Sequence, residues 1–257
     1  MNNVSKKNNS LLNELIKKYP KKRSKLSFQL KKIFKDEYKT NRESKVISLF
    51  EAWMHKNILK YKIRSNVRTL EIGAGTLNHL HYENLKKKDL YDIIEPKKFL
   101  FRNNHLKKKI NKVYSNYFSV PHKKYDRIIS CATLEHLTDL PKFLAISAFK
   151  LKNKNSFHSH SIPCEGYLAW TIANRYISGI LFKLRTGCNY NELMNHEHVN
   201  NYDEIYSIIK LFYNKVDVNF SYPLFFTPHF SFYANISFSN PKLNLCKKYL
   251  KLSKTKN

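Results

Sequence analysis

From residue 66 onward the chain alternates short apolar runs with stretches whose apolar positions recur at helical spacing. VRTLEIG (67–73), DLYDIIEP (89–96), NKVYSN (111–116), YDRIISCA (125–132) and NSFHSHSIP (155–163) read as strands. Helices are predicted near 76–87, 97–110 and 138–151, and over 165–186 and 202–214. Strands that alternate with helices require crossover connections, and hence a parallel sheet. KVDVNFSYP (215–223) and HFSFYANISFS (229–239) stand too close together for a helical crossover, so an antiparallel hairpin at one edge is expected.

Upstream the pattern differs. Residues 1–44 are polar, basic and helix-prone, interrupted by Pro20 and a Lys-Lys-Arg cluster, and form an expected N-terminal extension. Segment 44–62 predicts a helix that places Val46, Leu49, Phe50, Trp53 and Ile58 mostly on one face, suited to packing on a main domain at 45–240. Residues 241–257 read as a basic C-terminal tail. No long apolar run opens the chain, so neither a signal peptide nor a membrane span is expected, and a cytoplasmic setting is the default.

The net charge of +28 changes the picture only partly. It suggests a polyanionic partner. Yet the basic residues are mostly Lys, in a chain also rich in Asn, Ile, Tyr and Phe, all with A/T-rich codons. Arg, the residue suited to forked phosphate contacts, is scarce. Nucleic acid is therefore not the favoured partner. Cys131, Cys164, Cys188 and Cys246 form no CxxC pair, which gives neither a zinc knuckle nor a disulfide framework.

Chemistry concentrates at TLEIGAGTLNHL (69–80), where a buried strand runs into two of the chain's five glycines. A tight backbone turn there needs Gly. The third Gly of a dinucleotide fingerprint is missing, and so is a phosphate-binding GxxxxGK[ST], which leaves a nucleoside ligand without a pyrophosphate. Glu95 ends the second strand, 22 positions beyond Gly73. An acid at that distance can reach the paired hydroxyls of a ribose. Its competing role is to cap a helix before Pro96.

ExGxG, an acid closing the second strand, and YDRIISCATLEHL (125–137) at the fourth together resemble the class I S-adenosylmethionine-dependent methyltransferases over residues 45–240. GAGTLNHL, EHLTDLP, IPCEGYLAW and NHEHVNNYDEI are similar to a group found with bacterial surface-polysaccharide genes. The resemblance implies an α/β, Rossmann-like, mostly parallel seven-stranded sheet with an antiparallel C-terminal hairpin and helices on both faces. It implies S-adenosyl-L-methionine as cofactor and a small-molecule or glycan acceptor, methylated on a hydroxyl. Glu71, Gly73, Ala74 and Gly75 would line the methionine end, and Glu95 would hold the ribose. Asn116 stands where an Asp often contacts the adenine amine, and Cys131 and Ala132 would pass beside the sulfonium. Lys152-Asn153-Lys154-Asn155 replaces the family's Gly-Gly before the fifth strand; Asn tolerates left-handed dihedrals.

Bases for a hydroxyl acceptor should lie at the C-terminal ends of strands. His136 and His160 are the candidates named as catalytic, with His158, Glu165, His196, Glu197 and His198 nearby in the sequence. His158 and His160 share one strand face and could handle a proton or simply lie at a sheet edge. Glu135-His136 equally suits a helix start. His196-Glu197-His198 is not HExxH, and no metal is expected; Asn200 or Asn201 would cap the helix that follows. Pro163-Cys164 lacks the setting of the covalent cytosine-5 methyltransferases, and no Asn/Asp-Pro-Pro-aromatic run follows the fourth strand. Two other readings stay open: an RNA methyltransferase using its basic surface, and a non-catalytic binding protein of the same fold.

Overall fold

A computed structural model describes residues 3–33, 45–60, 66–221 and 227–255. Its frame is a seven-stranded sheet of β1 (Arg68–Ile72), β2 (Leu90–Ile94), β3 (Lys112–Tyr114), β4 (Arg127–Cys131), β5 (Phe157–Pro163), β6 (Tyr213–Phe220) and β7 (Tyr233–Pro241). The strand order is β3-β2-β1-β4-β5-β7-β6. β1 to β5 run parallel, while β7 pairs antiparallel with both β5 and β6. All seven strands fall where the apolar pattern predicts them. The order reverses between β1 and β4, and ligands of open α/β sheets bind at such a switch point.

Period-two alternation gives each face its own core. Leu70, Ile72, Ile94 and Ile128 face one way, under α3 (Leu140–Ser147) and α7 (Tyr202–Phe212). α1 (Asn3–Lys18) and α8 (Leu243–Lys254) add Leu12, Cys246 and Tyr249 to that layer. Tyr91, Ile93 and Ile129 face the other way, beneath Ile58 of α2 (Lys45–Ile58). The side chains of Val46, Leu49 and Phe50 lie outside the described residues. No helix among the described residues is long and apolar enough to cross a membrane.

The helices expected at 76–87 and 97–110 are corrected. Only short 3-10 turns form there, at His79–His81, Lys98–Leu100 and His105–Lys109. Leu77 takes a φ of 66°, which stops helix propagation. His79 and Glu83 are drawn into a buried polar network: Glu83 accepts from Arg127 at 2.6 Å and contacts His79 at 3.0 Å. Downstream, the Asn104 side chain accepts from Leu106 N at 2.8 Å, a local bond that competes with the helical ladder. Leu77, Leu80, Phe101 and Leu106 still fill the second core from these turns. The expected helix at 165–186 is split into α4 (Leu168–Ile172), a π-helical turn (Ala173–Ser178) and α5 (Gly179–Thr186), before α6 (Tyr190–Glu197).

Candidate active site

β1 delivers the chain into a bend that only Gly accommodates cheaply. Gly73 and Gly75 have φ of 67° and 52°. A Cβ on Gly73 would lie 2.7 Å from Thr133 Oγ1 and 2.8 Å from its Cγ2. The bend is tied to the neighbouring strand twice: Gly73 N donates to Ile94 O at 2.9 Å, and Gly75 N donates to Glu95 Oε2 at 2.8 Å. Glu95 Oε1 accepts from Lys97 N at 2.8 Å, so the carboxylate is held by a backbone donor on each oxygen. A carboxylate offers about four acceptor sites, which leaves room for two hydroxyl donors. The helix that Glu95 would cap as an alternative does not form, and the 3-10 turn at Lys98–Leu100 that stands there has no side-chain cap.

The other residues expected to meet the cofactor fall into different settings. Ala74 is buried in the second core. Glu71 is 3% exposed and accepts from Tyr91 O–H at 2.8 Å, with its carboxyl raised above the usual range by burial. It braces the bend from inside the fold and does not line an open cleft. Asn116 Oδ1 caps a 3-10 turn, accepting from Phe118 N and Ser119 N at 2.9 and 3.1 Å. Cys131 is half-buried with its Sγ 3.9 Å from Met54 Sδ. Ala132 has a φ of 47° and donates its N–H to Ser161 O at 2.8 Å, a strained position after β4 that residue type alone does not disclose.

His160 is corrected. β5 is an interior strand, so His158 and His160 lie at no sheet edge; both are wholly buried and stack on Phe238. His160 Nδ1 lies 2.7 Å from Ser130 Oγ, its Nε2 lies 3.2 Å from His158 Nδ1, and no acceptor can reach it. Burial pushes it down to about 3, far from a base at neutral pH.

Cys164 is likewise enclosed, at 0% exposure, and burial pushes its thiol up to about 12. The thiolate is the reactive form. In the native protein at pH 8, Cys164 should stay unmodified by iodoacetamide and react only after denaturation. Peptide mapping that finds it alkylated in the folded state would restore a nucleophile reading.

His136 sits differently. Its side chain is 31% exposed, and its Nδ1 donates to Glu197 O at 2.8 Å, leaving Nε2 as the ring's acceptor. Burial, then the neighbouring His198, Arg23 and Lys97, push it down to about 3, as low as His160, so it too is far from a general base at neutral pH. Its ring meets that of His198 edge-on at 4.9 Å. His198 Nδ1 bonds Glu165 Oε2 at 2.7 Å. Glu135, 1% exposed, turns a carboxyl oxygen with no hydrogen-bond partner toward the same place, and burial raises its carboxyl to about 7. Trp170 stacks on His198 at 6.3 Å. Thr133 links this cluster to the bend, since it packs on Gly73 and donates to Ile72 O two residues before Glu135.

The cluster draws on segments more than 60 residues apart, so no local motif reveals it. Its frame includes the N-terminal extension. Arg23 donates to His136 O and His196 O, both at 2.8 Å, Lys21 Nζ to Val199 O at 2.6 Å, and Tyr19 O–H to Asn200 at 2.9 Å. Asn201 caps α7 in a capping box with Glu204, while Asn200 binds Leu134 O and Leu137 O.

No protein-family description and no curated protein matches the sequence. Solved structures match the fold. A SAM-dependent methyltransferase from Archaeoglobus fulgidus aligns with a TM-score of 0.53 at 17% identity, over 81% of this chain and 99% of that one. A SAM-dependent methyltransferase from Thermotoga maritima gives 0.52 at 13% identity, over 81% and 95%. Phosphoethanolamine N-methyltransferase 2 of Haemonchus contortus, in complex with S-adenosyl-L-methionine, gives 0.52 at 12% identity, over 85% and 61%. The chain has the Rossmann-like fold these methyltransferase structures share.

Proposed function

We propose that the protein transfers a methyl group from S-adenosyl-L-methionine to a hydroxyl of a sugar or glycan-related small molecule. The observation that carries the first half is the 2.8 Å bond from Gly75 N–H to Glu95, which joins the glycine bend and the carboxylate in one cradle. When bound, the cofactor supplies an electrophilic methyl on sulfur. The chain's task is then to hold, align and keep dry. Glu95 keeps acceptor sites for a ribose diol, and Gly73, lacking a Cβ, lets Thr133 pack against the bend. Ala132 carries the backbone past the switch point, beside the place where the methyl would lie. The cluster of Glu135, His136 and His198 would receive the acceptor hydroxyl.

The acceptor class rests on the motif resemblance and on the cluster's fitness for an O–H group. Arg23 and Lys21 of the basic extension bond Glu197, Glu204 and backbone carbonyls, which favours a structural role for these two cations over phosphate contacts. The motif resemblance also supports a role in surface-polysaccharide synthesis.

Isothermal titration tests the cofactor. Wild type should bind S-adenosyl-L-methionine, and Glu95→Ala should weaken it about 10- to 100-fold, the worth of charge-assisted bonds to a diol. No heat at about 1 mM cofactor, an affinity too weak for a plausible enzyme, would refute the reading. Methyl-labelled cofactor incubated with sugar nucleotides or total RNA tests the acceptor; label entering RNA would overturn the sugar assignment.

A further inference from the structure

We propose that Glu135, His136 and His198 form a binding site for a divalent transition-metal ion. One ligand atom from each residue lies within 4.8 Å of the others. Bonds of about 2.0–2.2 Å to one ion need donors no more than ~4.4 Å apart, so a small inward rotation of the side chains completes the site.

Three independent features point to a ligand there. Glu135 Oε2 is buried and has no hydrogen-bond partner, a state that costs free energy unless something pairs with the carboxylate. Both imidazoles spend Nδ1 on an outer partner, His136 on Glu197 O and His198 on the Glu165 carboxylate. That is the support metal-bound histidines receive, and it leaves Nε2 of each ring to coordinate. The cluster is also pinned from behind by Arg23, which grips the carbonyls of His136, His196 and Glu197 and so fixes the two segments that carry the imidazoles.

Two imidazoles and one carboxylate suit manganese, iron, cobalt or zinc over magnesium or calcium, which prefer all-oxygen sets. Three protein ligands leave positions open for water or a substrate oxygen. Resting on the methyl-transfer reading, an ion held beside the bend would bind the acceptor hydroxyl and lower its pKa.

The test uses the full-length, tag-free, chelator-treated protein and metal alone, without cofactor or acceptor. Cobalt(II) should bind with one-to-one stoichiometry and give visible absorption bands of a low-symmetry nitrogen–oxygen site. Glu135→Gln and His198→Asn should each weaken binding at least 100-fold with the melting temperature measured in parallel. His105→Ala, which removes the ring that meets His81 on the far turn, should change nothing. Absent bands in the wild type, or bands retained in both site variants, would overturn the proposal. Bands lost with His105→Ala would assign the ion to an adventitious pair and overturn it too. Because cofactor is absent, loss of the methyl-transfer reading leaves this result standing, and the reverse holds for cofactor titration.

Discussion

Gly73→Ala is expected to abolish measurable cofactor binding and to lower the melting temperature by roughly 5–15 °C. Two separate costs combine. An Ala at a φ of 67° is strained by about 1–2 kcal/mol. Its Cβ would also meet Thr133 Oγ1 at 2.7 Å and Cγ2 at 2.8 Å, and forced overpacking costs about 1–3 kcal/mol. For a chain of this size each kcal/mol moves the melting temperature about 2–4 °C. The steric part has a specific rescue. Thr133→Ala removes both clashing atoms and leaves only the Cβ at 3.4 Å. Alone, that change should destabilise, since it deletes the bonds to Ile72 O and Cys131 O. In the double variant it should recover part of the loss, while the dihedral strain persists. A double-mutant cycle on thermal melts reads this coupling directly. Strict additivity would show that Thr133 does not enforce the glycine.

The bend and Glu95 were legible because they are consecutive features of one strand–turn–strand unit. The strand positions themselves follow from apolar runs and turn residues, signals that survive in a single sequence. What failed was helix formation on one side of the sheet. Residues 76–87 have helical spacing, yet Glu83 gains more from Arg127 and His79 than from continuing a helix, and nothing local announces Arg127 as a partner. His160 misled for a related reason. Its alternation with His158 correctly placed both on one face, but a polar pair on a strand gives no sign that Phe238 of β7 and Tyr213 of β6 will enclose it. The cluster of Glu135, His136 and His198 was legible as separate candidates and not as one site. Glu135 and His198 look like helix-end residues until the sheet brings the two loops together, and Arg23, an ordinary member of a basic run, locks them there.

The enclosed pair makes stability fall steeply in mild acid. Ser130 O–H donates to His160 Nδ1, His160 Nε2–H to His158 Nδ1, and His158 Nε2–H to the Tyr213 oxygen; the Tyr213 hydroxyl donates to Leu144 O. Each ring nitrogen in this chain has a partner with both rings neutral, and a second proton on His158 would face the His160 N–H. Burial acts in the same direction, holding His160 at about 3 and His158 well below its ordinary value, with the His160 neighbour adding to the second. In the unfolded chain both should titrate near 6.5. Between that value and about 3 the unfolded state binds more protons than the folded one, so the stabilisation is complete above pH ~6.5 and is lost as pH falls. Each group contributes up to ~1.4 kcal/mol per pH unit in that window. His160 alone should remove about 2–3 kcal/mol by pH 4.5, and His158 adds to that loss, against the ~5–15 kcal/mol typical of a folded domain. Denaturant unfolding between pH 7.5 and 4.5 measures the slope. Proton NMR at pH 5 should show two imidazoles still neutral, and two signals titrating near 6 would contradict the closed chain of bonds.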